Sequence, residues 1–308
     1  MSDSGLWGDG VGVDGIADRA GTGYHSVRQS DERSNRRSGR RELVPGSARS
    51  QLFHPAVPCD HTWSSELSAT VDELADWLRA RVDADVRVRD RFLEVHRTDD
   101  LPEKFAEARV PAPYERETGN TMLGTIRYEE RALEHPEREG GVLYDGAAVQ
   151  RALNAALPAE ERGLETLHVA IIDRALGTWG DHDGRWHKRV NVLGQPALIS
   201  VPGLYEAPAK PEDYYKEKQR HALLSGDAPP REVLENQVDG EFLVEDDPRT
   251  TDALKGYALQ ASHYLETGEA FCDREGCRLF NAHYHEDLID AQLREPAFCS
   301  EHAPLYEG

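Results

Sequence analysis

Two short pairs of metal-binding side chains near the C-terminus constrain this 308-residue chain more than any other feature. Cys272 and Cys277 are separated by four residues, and Cys299 and His302 are separated by two. A short loop can turn both side chains of a pair toward one point, and two such pairs can surround one tetrahedral ion. The spacing therefore predicts one metal site built from both pairs.

The sulfur content of these four residues predicts that the ion is zinc. Thiolate ligands select soft or borderline cations, and four protein ligands leave no open position for water. We therefore expect a structural zinc ion. His302 is the expected fourth ligand because it completes a pair with Cys299, and His283 and His285 are alternatives because both follow Cys277 closely.

The charge of the chain narrows the range of its partners. It carries 57 acidic residues against 36 basic ones, which gives a formal net charge of −21. Such a surface argues against binding nucleic acid through its phosphates. Few of the basic residues are lysine, and this composition is typical of a halophilic protein. The expected ligand is a peptide or a small molecule.

The sequence also indicates where the protein works. It contains no run of about 20 apolar residues that could cross a membrane, and its N-terminus lacks the pattern of a signal peptide. Four cysteines are too few for a disulfide scaffold. We expect a cytoplasmic protein that does not bind membranes.

Composition and periodicity divide the chain into three parts. Residues 1–61 are rich in Gly, Ser and Arg, and we expect a disordered basic arm or a translation start assigned too early. Residues 62–246 are expected to form an α/β domain, and residues 247–308 a helical zinc-binding subdomain. The chain as a whole is expected to be α/β (α+β), with a mixed sheet between helices.

Hydrophobic patterns predict the individual elements. The most apolar run, at residues 167–172, predicts a central strand. Further strands are expected at residues 86–89, 123–128, 142–144, 189–192, 197–201 and 241–244. Helices are expected from about residue 64 to 82 and at residues 102–108, 147–157 and 212–224, with a last helix beginning near His285. The Gly-rich polar segment 177–187 is expected to be an irregular loop that lines a cleft.

One more helix is expected directly before the cysteines. Asp247 and Pro248 are a suitable N-cap and first-turn pair, and Gly268 is a suitable C-terminal stop. The helix should therefore extend over residues 247–266. Its expected apolar stripe comprises Leu254, Tyr257, Ala258, Ala261 and Leu265.

The segment Gly268-x3-Cys272-x4-Cys277-x-Leu279, followed by Cys299-x2-His302, resembles part of a known metallopeptidase signature. It is similar to the C-terminal half of the archaemetzincin pattern HExxHxxGxxHCx4CxM, which is followed downstream by CxxC. An archaeal family of unknown function, described as metallopeptidases, looks similar over most of residues 62–308. The resemblance implies a metzincin-like fold with a structural zinc ion held by the cysteines.

The catalytic half of that signature is replaced in this chain. Aligned on Gly268, the zinc-binding histidine positions become Ala261, Leu265 and Phe271, and the general-base glutamate becomes Ser262. None of these side chains is a strong zinc ligand or a general base. The resemblance thus implies that the structural zinc is kept and the catalytic zinc motif is lost.

Two functional hypotheses follow. The favoured one is a relative of these enzymes that binds a ligand without being an ordinary peptidase. The alternative is a divergent metal-dependent hydrolase with a displaced catalytic site. The candidate residues for such a site are His187, Asp173, His263, His283 and His285.

Overall fold

The computed structural model describes residues 50–55, 60–119, 121–134, 141–226, 233–234, 237–238 and 240–307. Side chains are described from Thr70 onward, except for that of Ser225. The expectation of a disordered arm therefore lies mostly outside the described residues. Within that segment, however, Ser50–Pro55 forms a strand, so the folded part begins earlier than the sequence predicted.

The described part of the chain contains both strands and helices. The strands are β1 (Ser50–Pro55), β2 (Asp85–Val88), β3 (Leu143–Asp145), β4 (Thr166–Ile172), β5 (Ala175–Gly180), β6 (Arg185–Arg189), β7 (Asn191–Val192) and β8 (Ala197–Ser200). The helices are α1 (Asp60–Arg79), α2 (Phe92–Val95), α3 (Leu101–Glu107), α4 (Leu123–Glu134), α5 (Gly146–Ala156), α6 (Val201–Glu206), α7 (Glu212–Ser225), α8 (Thr250–Thr267), α9 (His285–Leu293) and α10 (Ala303–Tyr306). The expected mixed α/β class is confirmed.

The larger sheet has the strand order β2-β1-β4-β8-β7, with β4 in the middle. β1 is parallel to both β2 and β4, β4 is parallel to β8, and β7 is antiparallel to β8. The predicted central strand is thus confirmed. A strand buried on both faces needs mostly apolar side chains, which explains why residues 167–172, with His168 as the one polar residue, are the most apolar run.

Alternate residues of β4 enter two different hydrophobic cores. Val169 and Ile171 lie in the first core, which also contains buried residues of α1, α8 and α9. Ala170 and Ile172 lie in the second core, with residues of α3 and α5. This alternation places helices on both faces of the sheet. Helix α8, which directly precedes the cysteines, therefore packs into the same core as the central sheet.

The smaller sheet corrects the prediction of an irregular loop at residues 177–187. Its strand order is β3-β5-β6, and β5 and β6 form an antiparallel hairpin. Trp179 pairs with Trp186 across this hairpin, and their rings meet edge to face at 5.8 Å. These cross-strand contacts stabilise a ribbon that the polar composition did not indicate.

Two further strand predictions were wrong. Residues 123–128 begin helix α4, whose buried positions are Glu129, Ala132 and Leu133. This spacing is that of one helix face, and a short apolar run alone does not separate helix from strand. Residues 241–244 form no strand, and the backbone N–H of Leu243 donates to Nδ1 of His285 instead.

Helix α8 begins three residues later than expected. Its N-cap is Arg249 and not Asp247, whose carboxylate accepts from the backbone N–H and the guanidinium of Arg249 in the turn before the helix. The C-terminal end is as predicted, since Gly268 takes φ +78°, which favours glycine.

No helix in the described ranges is long and apolar enough to span a lipid bilayer.

Candidate metal centre

The fold brings the two predicted ligand pairs together. One ligand atom from each of Cys272, Cys277, Cys299 and His302 lies within 4.8 Å of all the others. The Sγ atoms of Cys272 and Cys299 are 3.8 Å apart. Nδ1 of His302 lies 3.7 Å from Sγ of Cys277 and 3.2 Å from Sγ of Cys299. Three of the four residues are buried, and Cys299 is partly exposed.

Local backbone structure sets the direction of the first pair. The chain makes a loop between Cys272 and Phe280, which form an isolated parallel bridge, and the N–H of Cys272 donates to the carbonyl of Leu279. Gly276, directly before Cys277, takes φ +77°. A residue with a side chain rarely adopts this conformation, so glycine permits the tight loop that points both sulfurs to one side.

The second pair is held by the turn that leads into α10. The backbone N–H groups of His302 and Ala303 both donate to the carbonyl of Cys299. This turn places the Cys299 thiol and the His302 ring on the same side of the chain. Each ligand pair is therefore shaped locally, and only its meeting with the other pair depends on the tertiary fold.

The three thiols of the cluster differ in the direction of their pKa shifts. Burial raises the pKa of the thiols of Cys272 and Cys277. For Cys299, burial acts in the same direction, but backbone hydrogen bonds from His302 and Glu301 bring its pKa below the usual range. Buried thiols become thiolates when a metal ion supplies the compensating charge.

A buried histidine, which is itself held by a tyrosine, packs against the expected fourth ligand. The ring of His263, on α8, meets the ring of His302 edge to face at 5.3 Å, and its Nδ1 is 2.8 Å from the hydroxyl of Tyr306. These contacts restrict the orientation of His302, as groups around a metal site usually do. His263, a candidate for a displaced catalytic site, thus lies beside the cysteine cluster.

His283 and His285, the alternative fourth ligands, lie outside the cysteine cluster. His285 is buried next to Phe242, and burial together with the nearby Lys210 lowers its pKa to about 3, so its ring is neutral at pH 7. His283 lies on the segment before α9, where its carbonyl accepts from the N–H of Ala209. Neither belongs to the cysteine group.

Among the described residues, only one of the five displaced-site candidates belongs to a second group of potential ligands. His187 lies with His182 and Asp183, and the ligand atoms of these three are within 4.8 Å of one another. Asp173, His263, His283 and His285 belong to neither group. His182 and Asp183 were not among the predicted site residues, because the polar composition of the hairpin indicated an irregular loop.

Asp173 and Arg174 follow the central strand β4, beside an apolar cavity. Phe92, Phe105 and Leu153 line this cavity together with the two charged residues. Burial raises the pKa of Asp173 to about 6, and the nearby carboxylates of Glu245, Asp246 and Glu206 add to the effect while Arg174 opposes it. Folding therefore disfavours the ionised form of this carboxyl group.

Replacement of Asp173 by asparagine should make the protein more stable at neutral pH. The folded-state pKa of about 6 lies above the ordinary value of 3.8, so the carboxyl group costs no stability below about pH 4. The cost then grows as the pH rises through 6, and reaches about 2 kcal/mol after allowance for solvent screening. Urea unfolding of both proteins at several pH values measures this difference.

The gain in stability of the Asp173→Asn variant should therefore appear between about pH 4 and pH 7. The matched control is Asp99→Asn, which removes an exposed carboxylate and should change the free energy of unfolding by less than about 0.5 kcal/mol. An Asp173→Asn variant that is no more stable than the wild type at pH 7 would contradict the prediction.

A buried ionic network near this cavity was also missed by the sequence analysis. The Glu129 carboxylate, fully buried on α4, accepts from the guanidinium groups of Arg109 and Arg174 and from the hydroxyl of Tyr144. Nη1 of Arg174 also donates to the Tyr144 hydroxyl at 2.6 Å. Arg109, Glu129, Tyr144 and Arg174 are far apart in sequence, so no local pattern could have revealed the network.

The fold and the site define a class: a mixed α/β protein with a Cys3His group able to hold a metal ion. Comparison with known families is more specific. The chain belongs to a family of unknown function, DUF7001, which it matches over residues 62–305.

The chain is also similar to the crystal structure of archaemetzincin from Methanopyrus kandleri. The sequence identity is 11%, the TM-score is 0.41, and the alignment covers 85% of this chain and 96% of that one. The comparison with curated proteins found no match.

Proposed function

We propose that this protein holds one structural zinc ion in the Cys3His group and acts by binding a ligand, without ordinary peptidase activity. The convergence of Cys272, Cys277, Cys299 and His302 within 4.8 Å carries the proposal. The ligand is a peptide or a small molecule, since the net charge of −21 disfavours nucleic acid.

The spacing of the ligand atoms fits zinc. Tetrahedral zinc, with Zn–S of about 2.3 Å and Zn–N of about 2.0 Å, separates two sulfurs by about 3.8 Å and a sulfur from a nitrogen by about 3.5 Å. The corresponding distances here are 3.8 Å between Cys272 and Cys299 and 3.7 Å between Cys277 and His302, and Cys299 and His302 are somewhat closer, at 3.2 Å. Four protein ligands complete the coordination, which supports a structural role.

The environment of α8 supports the loss of a catalytic zinc ion. The sequence resemblance places two catalytic histidine positions at Ala261 and Leu265, and the base position at Ser262. Ala261 is buried in the first core, and Leu265 packs against the same core. Ser262 is fully buried, with its hydroxyl 3.4 Å from a carboxylate oxygen of Glu266. The side chains of Ala261, Ser262 and Leu265 therefore provide no imidazole or carboxylate group that could bind a catalytic zinc ion or act as its general base.

Metal analysis combined with a cleavage assay tests the proposal. Untagged protein is dialysed, its zinc content is measured by mass spectrometry, and cleavage of casein and of a fluorescent peptide library is followed in molar KCl. The salt suits a protein with this acidic surface. We expect one tightly held zinc ion per chain and no cleavage above the protein-free control.

The same assay can support the alternative function. A metal-dependent hydrolase would cleave substrate in a chelator-sensitive way, and the activity would disappear in a His187→Ala or Asp173→Asn variant. Cleavage that survives both substitutions but not the chelator would point to another catalytic metal site. Either result would overturn the proposal of a non-peptidase.

A further inference from the structure

The turn of the β5–β6 hairpin carries a compact group of two histidines and an aspartate. Nε2 of His187 lies 2.9 Å from a carboxylate oxygen of Asp183, and Nε2 of His182 lies 3.7 Å from the other. The two imidazole rings are stacked at 5.7 Å with an angle of 15° between their planes. Both rings therefore present Nε2 to the same carboxylate.

Strand pairing creates this arrangement. His187, on β6, lies opposite Thr178, on β5. The last pair before the turn is Gly180 with Arg185. His182 and Asp183 occupy the turn, so the hairpin folds them back toward His187. Residues five apart in sequence thus come together through the hairpin connection, not along one helix face.

Gly180 leaves the space that the group occupies. A Cβ atom at this position would lie 2.5 Å from Oδ1 of Asp183 and 2.7 Å from Nε2 of His187. Both distances are far shorter than a normal contact. Any larger residue at position 180 would displace the ligand atoms, so the glycine is required for their present geometry.

We propose that His182, Asp183 and His187 form a second metal site, which takes a borderline divalent cation such as Zn²⁺. Two imidazoles and one carboxylate match the preferences of such ions. The three ligands leave coordination positions open to water, and His182 is 79% exposed. The ion should therefore exchange readily, in contrast to the ion of the buried Cys3His group.

An ion pair without metal is the competing explanation. Nε of Arg185 donates to Oδ2 of Asp183 at 2.7 Å, so the carboxylate already has a cationic neighbour. That contact does not explain why His182 stacks on His187 with its Nε2 directed at the same carboxylate. A bound cation explains the convergence of all three side chains.

Titration with Zn²⁺ alone tests the site. Untagged, dialysed protein that retains its tightly held zinc is titrated by calorimetry. We expect the wild type to bind one further equivalent, and His182→Ala, His187→Ala and Asp183→Asn each to weaken this binding by at least about tenfold. The matched control is His221→Ala, the same change at a histidine on α7 outside this group, and it should bind as the wild type does.

Nuclear magnetic resonance of the unaltered protein gives a second readout that needs no variant. Added Zn²⁺ should shift the imidazole signals of His182 and His187 in proportion to the bound fraction. Uptake that is equal in all variants, or the absence of both further uptake and these shifts, would overturn the proposal. The zinc content measured before titration reports on the Cys3His group separately, so failure at the hairpin is distinguishable from failure of the proposed function.

Discussion

Replacing Cys277 by serine should release the zinc ion that we propose for this site and cause the largest loss of stability among the predicted substitutions. Cys277 is fully buried, and serine nearly matches its volume, so the main change is the loss of a thiolate ligand. Structural zinc supplies about 10 kcal/mol or more of apparent binding free energy in small modules. We expect zinc content near zero and a melting temperature lower by about 10 °C or more.

The control for this experiment keeps four ligands. A His302→Cys variant replaces the imidazole with a fourth thiolate, which is also a favoured zinc ligand, and it should retain the ion. Loss of zinc from Cys277→Ser but not from His302→Cys would separate ligation from packing. A Cys277→Ser protein with unchanged zinc content and unchanged melting would contradict the assignment of this site.

Replacing Glu129 by glutamine should destabilise the second core strongly. The substitution keeps the shape of the side chain but removes the negative charge that balances Arg109 and Arg174. Arg174 is only 7% exposed, so its guanidinium would remain buried without its carboxylate partner. Breaking a buried ion pair in this way costs about 3 to 5 kcal/mol. Urea unfolding at neutral pH measures the loss directly.

Glu130 provides a matched control on the same helix. It is the next residue of α4 and is exposed, so Glu130→Gln should change the free energy of unfolding by less than about 0.5 kcal/mol. Equal effects of the two substitutions would show that solvent screens the Glu129 network. The buried geometry of the network would then be wrong.

Where the sequence patterns were strong, they predicted the elements well. The continuous apolar run at residues 167–172 has the composition of a strand buried on both faces, and it is β4. The apolar stripe of α8 and its glycine stop likewise follow from helix geometry. In each case one continuous segment carries the whole pattern. The spacing of its apolar residues was therefore sufficient to predict the element.

The errors have a common physical cause. Residues 177–187 are polar, yet they form a hairpin because residues 177–180 pair with residues 185–188 across the turn. Residues 123–128 form a helix because Glu129, Ala132 and Leu133 bury one face, and a buried charge at the first of these positions hides the helical period. In both segments, strand pairing or side-chain packing outweighs composition.

The sequence by itself determined the local halves of the metal centre: a loop that aligns Cys272 with Cys277, and a turn that aligns Cys299 with His302. Only the tertiary structure decided that these halves meet, that Glu129 lies between two arginines, and that His182, Asp183 and His187 converge. The physical reason is that short-range spacing fixes side-chain direction within a turn. The distance between remote segments, by contrast, depends on strand register and on packing in a shared core.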